Sequence, residues 1–251
     1  MIRSLYTEDK NVNVYKSTPI SEAVKGNSYV GRGIILGKSP DGKNAVFAYF
    51  IMGRSDNSRN RIFVENGDDV TIYPYDESKV EDPSLIIYSP IRKCNGDYIV
   101  TNGDQTDTIY DHAVNGGTFE SALRTRAFEP DRPNWTPRIS GMMYLNGDYS
   151  YKMSILKSGD AEGTVCNRQF FEYAPIDGLG HFIHTYVCDG NPIPTFVGEP
   201  ERIDIPNDID AFTNEIWSSL DENNKISLYV RYIPLDGSAL TSRMINKYSK
   251  V

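Results

Sequence analysis

The sequence predicts an α+β fold built mostly from antiparallel strands, with a few helices set apart from them. Nine Asn-Gly or Asp-Gly dipeptides, among them Asp41-Gly42, Asn66-Gly67, Asn95-Gly96, Asn146-Gly147, Asp177-Gly178 and Asp236-Gly237, punctuate the chain. Such pairs accept the positive φ of tight hairpin turns. Between them lie short runs rich in Tyr, Ile, Val and Phe, and two stretches carry apolar residues at helical spacing. Strands joined by hairpins, with helices segregated from them, make layers of sheet and helix rather than a wound parallel sheet.

The predicted strands cover residues 29–36, 45–52, 85–92, 98–101, 139–145, 149–156, 181–188 and 226–233. The first helix follows Thr118 as N-cap, with Phe119, Ala122, Leu123 and Ala127 on one side and Glu120, Arg124 and Arg126 on the other. A second starts at Asp208, where Ile209, Phe212, Ile216 and Leu220 form a stripe that Asn223-Asn224 closes. Residues 1–28 have little periodicity and are expected to form an N-terminal extension. Repeats, Ser/Gly linkers and low-complexity tracts are missing, so residues 1–251 are read as a single domain.

Composition bounds the function. The chain holds 251 residues, 39% of them hydrophobic, enough for a sizeable core. With 34 acidic against 26 basic side chains the net charge is -8, which disfavours nucleic acid as a partner and favours a small molecule. No apolar run has the length of a membrane span and the start of the chain opens no hydrophobic signal core, so a cytoplasmic location is expected. Cys94, Cys166 and Cys188 are widely spaced and read as reduced thiols. His181 and His184, three apart on a strand, face opposite ways and His112 is isolated, so no metal site is expected. An acidic surface and 17 tyrosines permit a homo-oligomer without requiring one.

Arginine is concentrated in Gly53-Arg54-Ser55-Asp56-Asn57-Ser58-Arg59-Asn60-Arg61, between two apolar segments. Guanidinium forks match phosphate bidentately, and the intervening Ser and Asn add hydrogen bonds. The composition also fits a solvated loop paired with acidic neighbours. Gly31-Arg32-Gly33 interrupts an apolar strand, marking either the close approach of a ligand or a bulge with Arg32 in solvent. Asn102-Gly103-Asp104-Gln105-Thr106-Asp107 follows a strand and begins a helical turn, so its polar groups meet at one end of a sheet or serve as turn chemistry. Pro130 drives Glu129 out of helical geometry at the end of an element. No Walker A loop, GxSxG elbow or HExxH motif occurs.

Taken in order, these segments resemble the archaeal-type IMP cyclohydrolase family and its longer bacterial branch. The likeness rests on Tyr29-Val30-Gly31-Arg32, the 53–61 loop ending Asn60-Arg61, Ser84-Leu85-Ile86-Ile87-Tyr88, Asn102-Gly103 with Thr106-Asp107-Thr108-Ile109, and Glu129 through Thr136-Pro137-Arg138-Ile139. Cys188-Asp189-Gly190-Asn191-Pro192 and Gly198-Glu199-Pro200 are similar to the bacterial branch, and the resemblance is strongest over residues 29–200. It implies a four-layer αββα sandwich like that of N-terminal nucleophile hydrolases. It also implies closure of 5-formamidoimidazole-4-carboxamide ribonucleotide to IMP with loss of water, the last step of purine-ring synthesis, with no cofactor or metal. On that basis Arg61, Tyr88 and Glu129 are the expected catalytic residues, and Arg32, Arg54, Asn60, Asn102, Gly103 and Arg138 the expected contacts to a purine ribonucleotide. Two other functions stay open: a module that binds such a nucleotide without turnover, and an amide hydrolase of the same fold class, exposing Thr118 or Thr164 as a new N-terminus.

Overall fold

The computed structural model describes residues 13–80 and 87–249. In chain order the elements begin with α1 (Ile20–Ala23), β1 (Arg32–Lys38), β2 (Asn44–Met52), α2 (Asp56–Arg59), β3 (Ile62–Asn66) and β4 (Asp69–Tyr73). Then come β5 (Ile91–Cys94), β6 (Asp97–Thr101), α3 (Gln105–Val114), α4 (Phe119–Arg124), β7 (Arg138–Tyr144), β8 (Ser150–Ser158) and β9 (Cys166–Tyr173). The chain closes with β10 (Leu179–His184), β11 (Glu201–Asp204), α5 (Ile209–Ser219), β12 (Lys225–Pro234) and β13 (Thr241–Asn246).

The strands form two antiparallel sheets. One is a seven-stranded meander in which β3 to β9 follow one another in space as in sequence. Hairpin chemistry makes this possible: at the β5–β6 turn Asn95 and Gly96 both take positive φ, 53° and 95°, matching the twist of the paired strands. The other sheet has six strands in the order β11-β10-β1-β2-β12-β13, so the meander is inserted between β2 and β10. Every strand pair within the two sheets is antiparallel.

Side-chain alternation decides what each sheet face meets. Ile34, Leu36, Phe47 and Tyr49 from the six-stranded sheet join Tyr98, Val100, Ile139 and Met143 from the meander in one buried cluster between the sheets. The sheets come so close that a Cβ on Gly141 would lie 2.7 Å from Leu36 Cδ1, so β7 carries no side chain there. Ile35, Val46, Ala48 and Phe50 point the other way and pack under Phe212, Ile216 and Leu220 of α5 and Ile20 of α1. Burial of both faces explains why 45–52 reads as an unbroken apolar run instead of alternating. On the outer face of the meander, Ile99, Met142 and Leu156 are covered by Ile109 of α3 and by Phe119, Ala122 and Leu123 of α4.

The expected α+β class with antiparallel sheets and few helices holds. Both predicted N-caps are present: Thr118 accepts from Ser121 N in a capping box, and Asp208 accepts from Ala211 N. Several expectations shift. The strand expected from residue 29 begins at Arg32, because Gly31 takes φ +78. The strand expected over 85–92 begins at Ile91, and Leu85 and Ile86 lie outside the described residues. The turn expected after Asn102 is a full helix, α3. Residues 1–12 of the expected extension also lie outside the described residues, whereas Ile20 and Val24 are buried in the cluster beneath α5.

Removing the cap of α5 tests how far that helix supports its sheet. Asp208→Ala should lower stability by about 1 kcal/mol, read as a lower urea midpoint at unchanged slope, with ligand binding at the distant strand ends unaffected.

Candidate functional site

A cavity of about 580 Å³ opens where strand ends of the two sheets meet. Arg32 at the start of β1, Arg54, Ser55 and Ser58 after β2, Arg61 just before β3, and Glu129 in the loop between α4 and β7 all line it. Antiparallel pairing puts these points together: Arg32 is paired with Ile51 near the end of β2, and Thr101 at the end of β6 is paired with Ser140 near the start of β7. The arginine-rich segment is shaped by a capping box in which Ser55 and Ser58 exchange hydrogen bonds around the one-turn helix α2.

The electrostatics centre on two of the arginines. The Nε atoms of Arg32 and Arg61 are both buried without a hydrogen-bond partner among the described residues. Burial lowers the pKa of Arg61, and the neighbouring positive charge of Arg32 lowers it further. For Arg32, burial also opposes the charge, but the phenols of Tyr29, Tyr88, Tyr186 and Tyr49 outweigh it and the net shift is upward. Guanidinium groups stay protonated at any ordinary pH. Two partly desolvated cations with idle donors therefore form a charge pattern that an anion would complete.

The other arginines of the 53–61 loop are already occupied. Arg54 pairs with Asp189, donates to the Gly190 carbonyl at 2.9 Å and lies 5.1 Å over the Tyr29 ring, spanning the cavity wall. Arg59 turns back to the Gly53 carbonyl at 3.1 Å and to Asn224 Oδ1 at 3.2 Å, and supports the loop. Asn60 donates to the Asp76 carbonyl at 2.8 Å and accepts from Asp76 N at 2.9 Å, strapping the stretch before Arg61 to the segment after β4.

Around Glu129 the packing is tight. Its backbone N–H donates to the Thr136 carbonyl at 2.9 Å, which closes the loop that carries it. Its carboxylate lies 3.7 Å from Arg138 Nη1, and that nitrogen donates to Asp104 Oδ1 at 2.6 Å and Gln105 Oε1 at 2.7 Å. A Cβ on Gly103 would sit 2.6 Å from Arg138 Nη1 and 3.2 Å from Glu129 Oε1, so only glycine leaves this pair in place. Asn102 spends its side chain on the frame, donating to Pro137 O at 2.8 Å and accepting from Ile139 N at 2.9 Å.

Tyr88 stands behind the cavity rather than on its lining, with its hydroxyl donating to the Asn102 carbonyl at 2.8 Å. It lies within electrostatic reach of both Arg32 and Arg61, and Arg61 in turn is within reach of Glu129. Beside Tyr88 is Tyr49, fully buried, its hydroxyl without a partner of good geometry; burial first, then the adjacent Tyr88, pushes its phenol far up in pKa. Arg32, Arg54, Arg61 and Glu129 thus face the cavity directly, while Asn60, Asn102, Gly103, Arg138 and Tyr88 hold positions around it. Sequence reasoning did not single out Tyr49, Asp131, Asn134, Tyr186 or Ile193. Tyr29, Asp131, Asn134 and Thr136 fell inside the family-like segments, but nothing in their spacing marked them as cavity residues. Among the described residues, no three His, Cys, Asp or Glu side chains converge as a metal-ligand set, and no helix is long and apolar enough to cross a membrane.

Comparison with known proteins places these residues in a family. The family model described as IMP cyclohydrolase-like protein matches residues 29–237, which include every strand except β13 and every residue of the cavity. The chain belongs to this family. Among its relatives is the IMP cyclohydrolase of Methanothrix thermoacetophila, 37% identical over 119 residues, a match covering 46% of this chain and 57% of that protein. The IMP cyclohydrolase of Methanopyrus kandleri is 30% identical over 183 residues, covering 67% of this chain and 89% of that protein. The chain therefore spans little more than half the length of the first relative and most of the second.

The unpaired guanidinium groups yield a thermal-shift prediction. Pyrophosphate at about ten times its dissociation constant should stabilise the protein by about 1.4 kcal/mol. Arg61→Met should abolish that response while making the free protein about 1–4 kcal/mol more stable, because a buried unpaired cation is replaced by an apolar chain of similar length. A free protein destabilised by Arg61→Met would show that the cation already has a partner.

Proposed function

We propose that the protein is an IMP cyclohydrolase, closing 5-formamidoimidazole-4-carboxamide ribonucleotide to IMP with loss of water in purine synthesis. The observation that carries this reading is the convergence of Arg32, Arg61 and Glu129 on one cavity, with Tyr88 just behind its lining and the Nε of each arginine without a partner among the described residues. Its volume of about 580 Å³ falls in the range of small-molecule sites. The ligand is a small-molecule purine ribonucleotide, whose anionic oxygens the arginines would receive. The arrangement of two helix-covered sheets around a shared core fits the four-layer αββα sandwich of N-terminal nucleophile hydrolases.

In the reaction the carboxamide nitrogen attacks the formyl carbon and a C–N bond forms; the C–O bond then breaks as the formamido nitrogen gives up its proton and forms C=N, so the former formyl oxygen leaves as water with, in net, one hydrogen from each nitrogen. Both reacting groups belong to one ligand, so a site that holds them face to face removes most of the entropic barrier. Glu129 takes the proton from the attacking nitrogen. The nearby Arg138, 3.7 Å away, holds its carboxylate in place for that transfer. Tyr88 supplies a phenolic proton to the formyl oxygen, turning from the Asn102 carbonyl that holds it in the free protein. Arg61, with Arg32 beside it, stabilises negative charge on the ligand in a poorly solvated setting where such contacts count most.

The competing hydrolase reading has no support in the cavity. Thr118 is the N-cap of α4, and the Thr164 hydroxyl donates to Asp160; neither lines the cavity. Against a binding module, turnover decides. Wild-type protein mixed with the formamido ribonucleotide should produce IMP, followed by its absorbance. Glu129→Gln should lower kcat by about 10²- to 10⁴-fold while the dissociation constant for IMP stays within a few fold. Saturable binding without turnover by the wild type would leave the binding module as the better reading.

A further inference from the structure

Three side chains on the cavity wall lie outside the catalytic set and form a chain of their own. Asp131 accepts from Thr136 N at 2.6 Å and is also in contact, through its other oxygen, with the Thr136 hydroxyl. The Thr136 hydroxyl oxygen is in turn 2.6 Å from the hydroxyl of Tyr186. Thr136 and Tyr186 are only 5% and 2% exposed, so outside the cavity itself their hydroxyls have no solvent to turn to.

Proton bookkeeping fixes the direction of this chain. A carboxylate has no proton to give, so Thr136 spends its single hydroxyl proton on Asp131. The contact between Thr136 and Tyr186 then has one donor left, the phenol. Tyr186 therefore has its proton committed to Thr136, and toward the cavity it presents lone pairs only. Burial pushes the Tyr186 phenol up to about 12, so it remains a neutral group near pH 7. No N–H or O–H among the described residues donates to its oxygen, while its ring is stacked on Tyr29, 5.7 Å between centroids, which fixes where the oxygen sits.

We propose that Tyr186 is a specificity residue, an obligate hydrogen-bond acceptor for an N–H or O–H of the bound nucleotide, and that Asp131, acting through Thr136, sets that polarity. This rests on the reading of the cavity as a nucleotide site. A ligand offering an acceptor at the same point would oppose lone pairs to lone pairs and leave both unpaired, so the chain selects by exclusion as well as by attraction. Asp131 is a positioning residue in this scheme; only Tyr186 meets the ligand.

Exchanging Asp131 for asparagine inverts the chain without changing its shape. The amide nitrogen of Asp131→Asn donates to the Thr136 hydroxyl, which turns its proton to Tyr186, and the phenolic proton is released toward the ligand. Dissociation constants for IMP and 2′-deoxy-IMP, measured by titration calorimetry on wild type, Tyr186→Phe, Asp131→Asn and the double variant, test the proposal. Each single change should weaken IMP by about tenfold, and the double variant should be no weaker than Tyr186→Phe, because Asp131 acts only through the phenol. A loss confined to IMP identifies the ribose 2′-hydroxyl as the donor, and an equal loss for both nucleotides identifies another N–H or O–H; either supports the proposal. Unchanged affinity in Tyr186→Phe overturns it, as does an Asp131→Asn effect that persists in full in the Tyr186→Phe background. If Asp131→Asn fails to fold, Thr136→Val breaks the same chain and should show the same dependence on Tyr186. Wild-type protein that binds neither nucleotide would instead defeat the nucleotide reading and this proposal with it, a result distinct from binding that Tyr186→Phe leaves intact.

Discussion

Two guanidinium groups, Arg32 and Arg61, are held within electrostatic reach of each other at the end of an apolar inter-sheet core, and the Nε of each has no hydrogen-bond partner among the described residues. Burial and mutual repulsion both work against this arrangement, and a protein optimised for stability alone would place aliphatic side chains there. An anion entering the cavity would lower the free energy of this arrangement, which under the proposed reading ties ligand binding to relief of that repulsion.

The fold is what makes such a pair possible. Arg32 and Arg61 come from segments on either side of β2, one opening a strand of the six-stranded sheet and the other preceding the first strand of the meander. They meet because the two sheets share a core. Loops are then pinned by side chain to backbone: Asn60 to Asp76, Asn102 to Pro137 and Ile139, Arg54 to Gly190. The Asn60 and Asn102 straps satisfy buried polar groups, and each of the three holds a segment beside the cavity. Glu129 owes its position to the same device, through Thr136 and the side-chain-free Gly103.

Much of this was legible in the sequence because it depended on local rules. Hairpin dipeptides marked turns, and Thr118 and Asp208 marked helix starts, since these signals arise from backbone preferences within four residues. Edge strands escaped notice for a physical reason. β9 carries Asn167, Arg168, Gln169 and Glu172 and is largely solvated, and β11 has four residues, so neither shows the apolar alternation of a half-buried strand. Missing β3 and β4 was different, because Ile62-Phe63-Val64 and Val70-Thr71-Ile72 flank Asn66-Gly67 in plain view. At the site, Arg61 and Arg54 stood out by density, but density alone could not tell them from Arg59, which folds back onto Gly53. Tyr186 and Asp131 were invisible because their importance lies in hydrogen-bond direction across 55 positions of chain, which no spacing rule encodes.

A crystal structure of the protein with IMP bound examines the central claim with fewest intervening steps. An anionic oxygen of the nucleotide should lie within hydrogen-bonding distance of the Arg32 and Arg61 guanidinium groups, with the purine ring between Glu129 and Tyr88. Nucleotide seated elsewhere, or seated in the cavity while both arginines keep their donors idle, would contradict it.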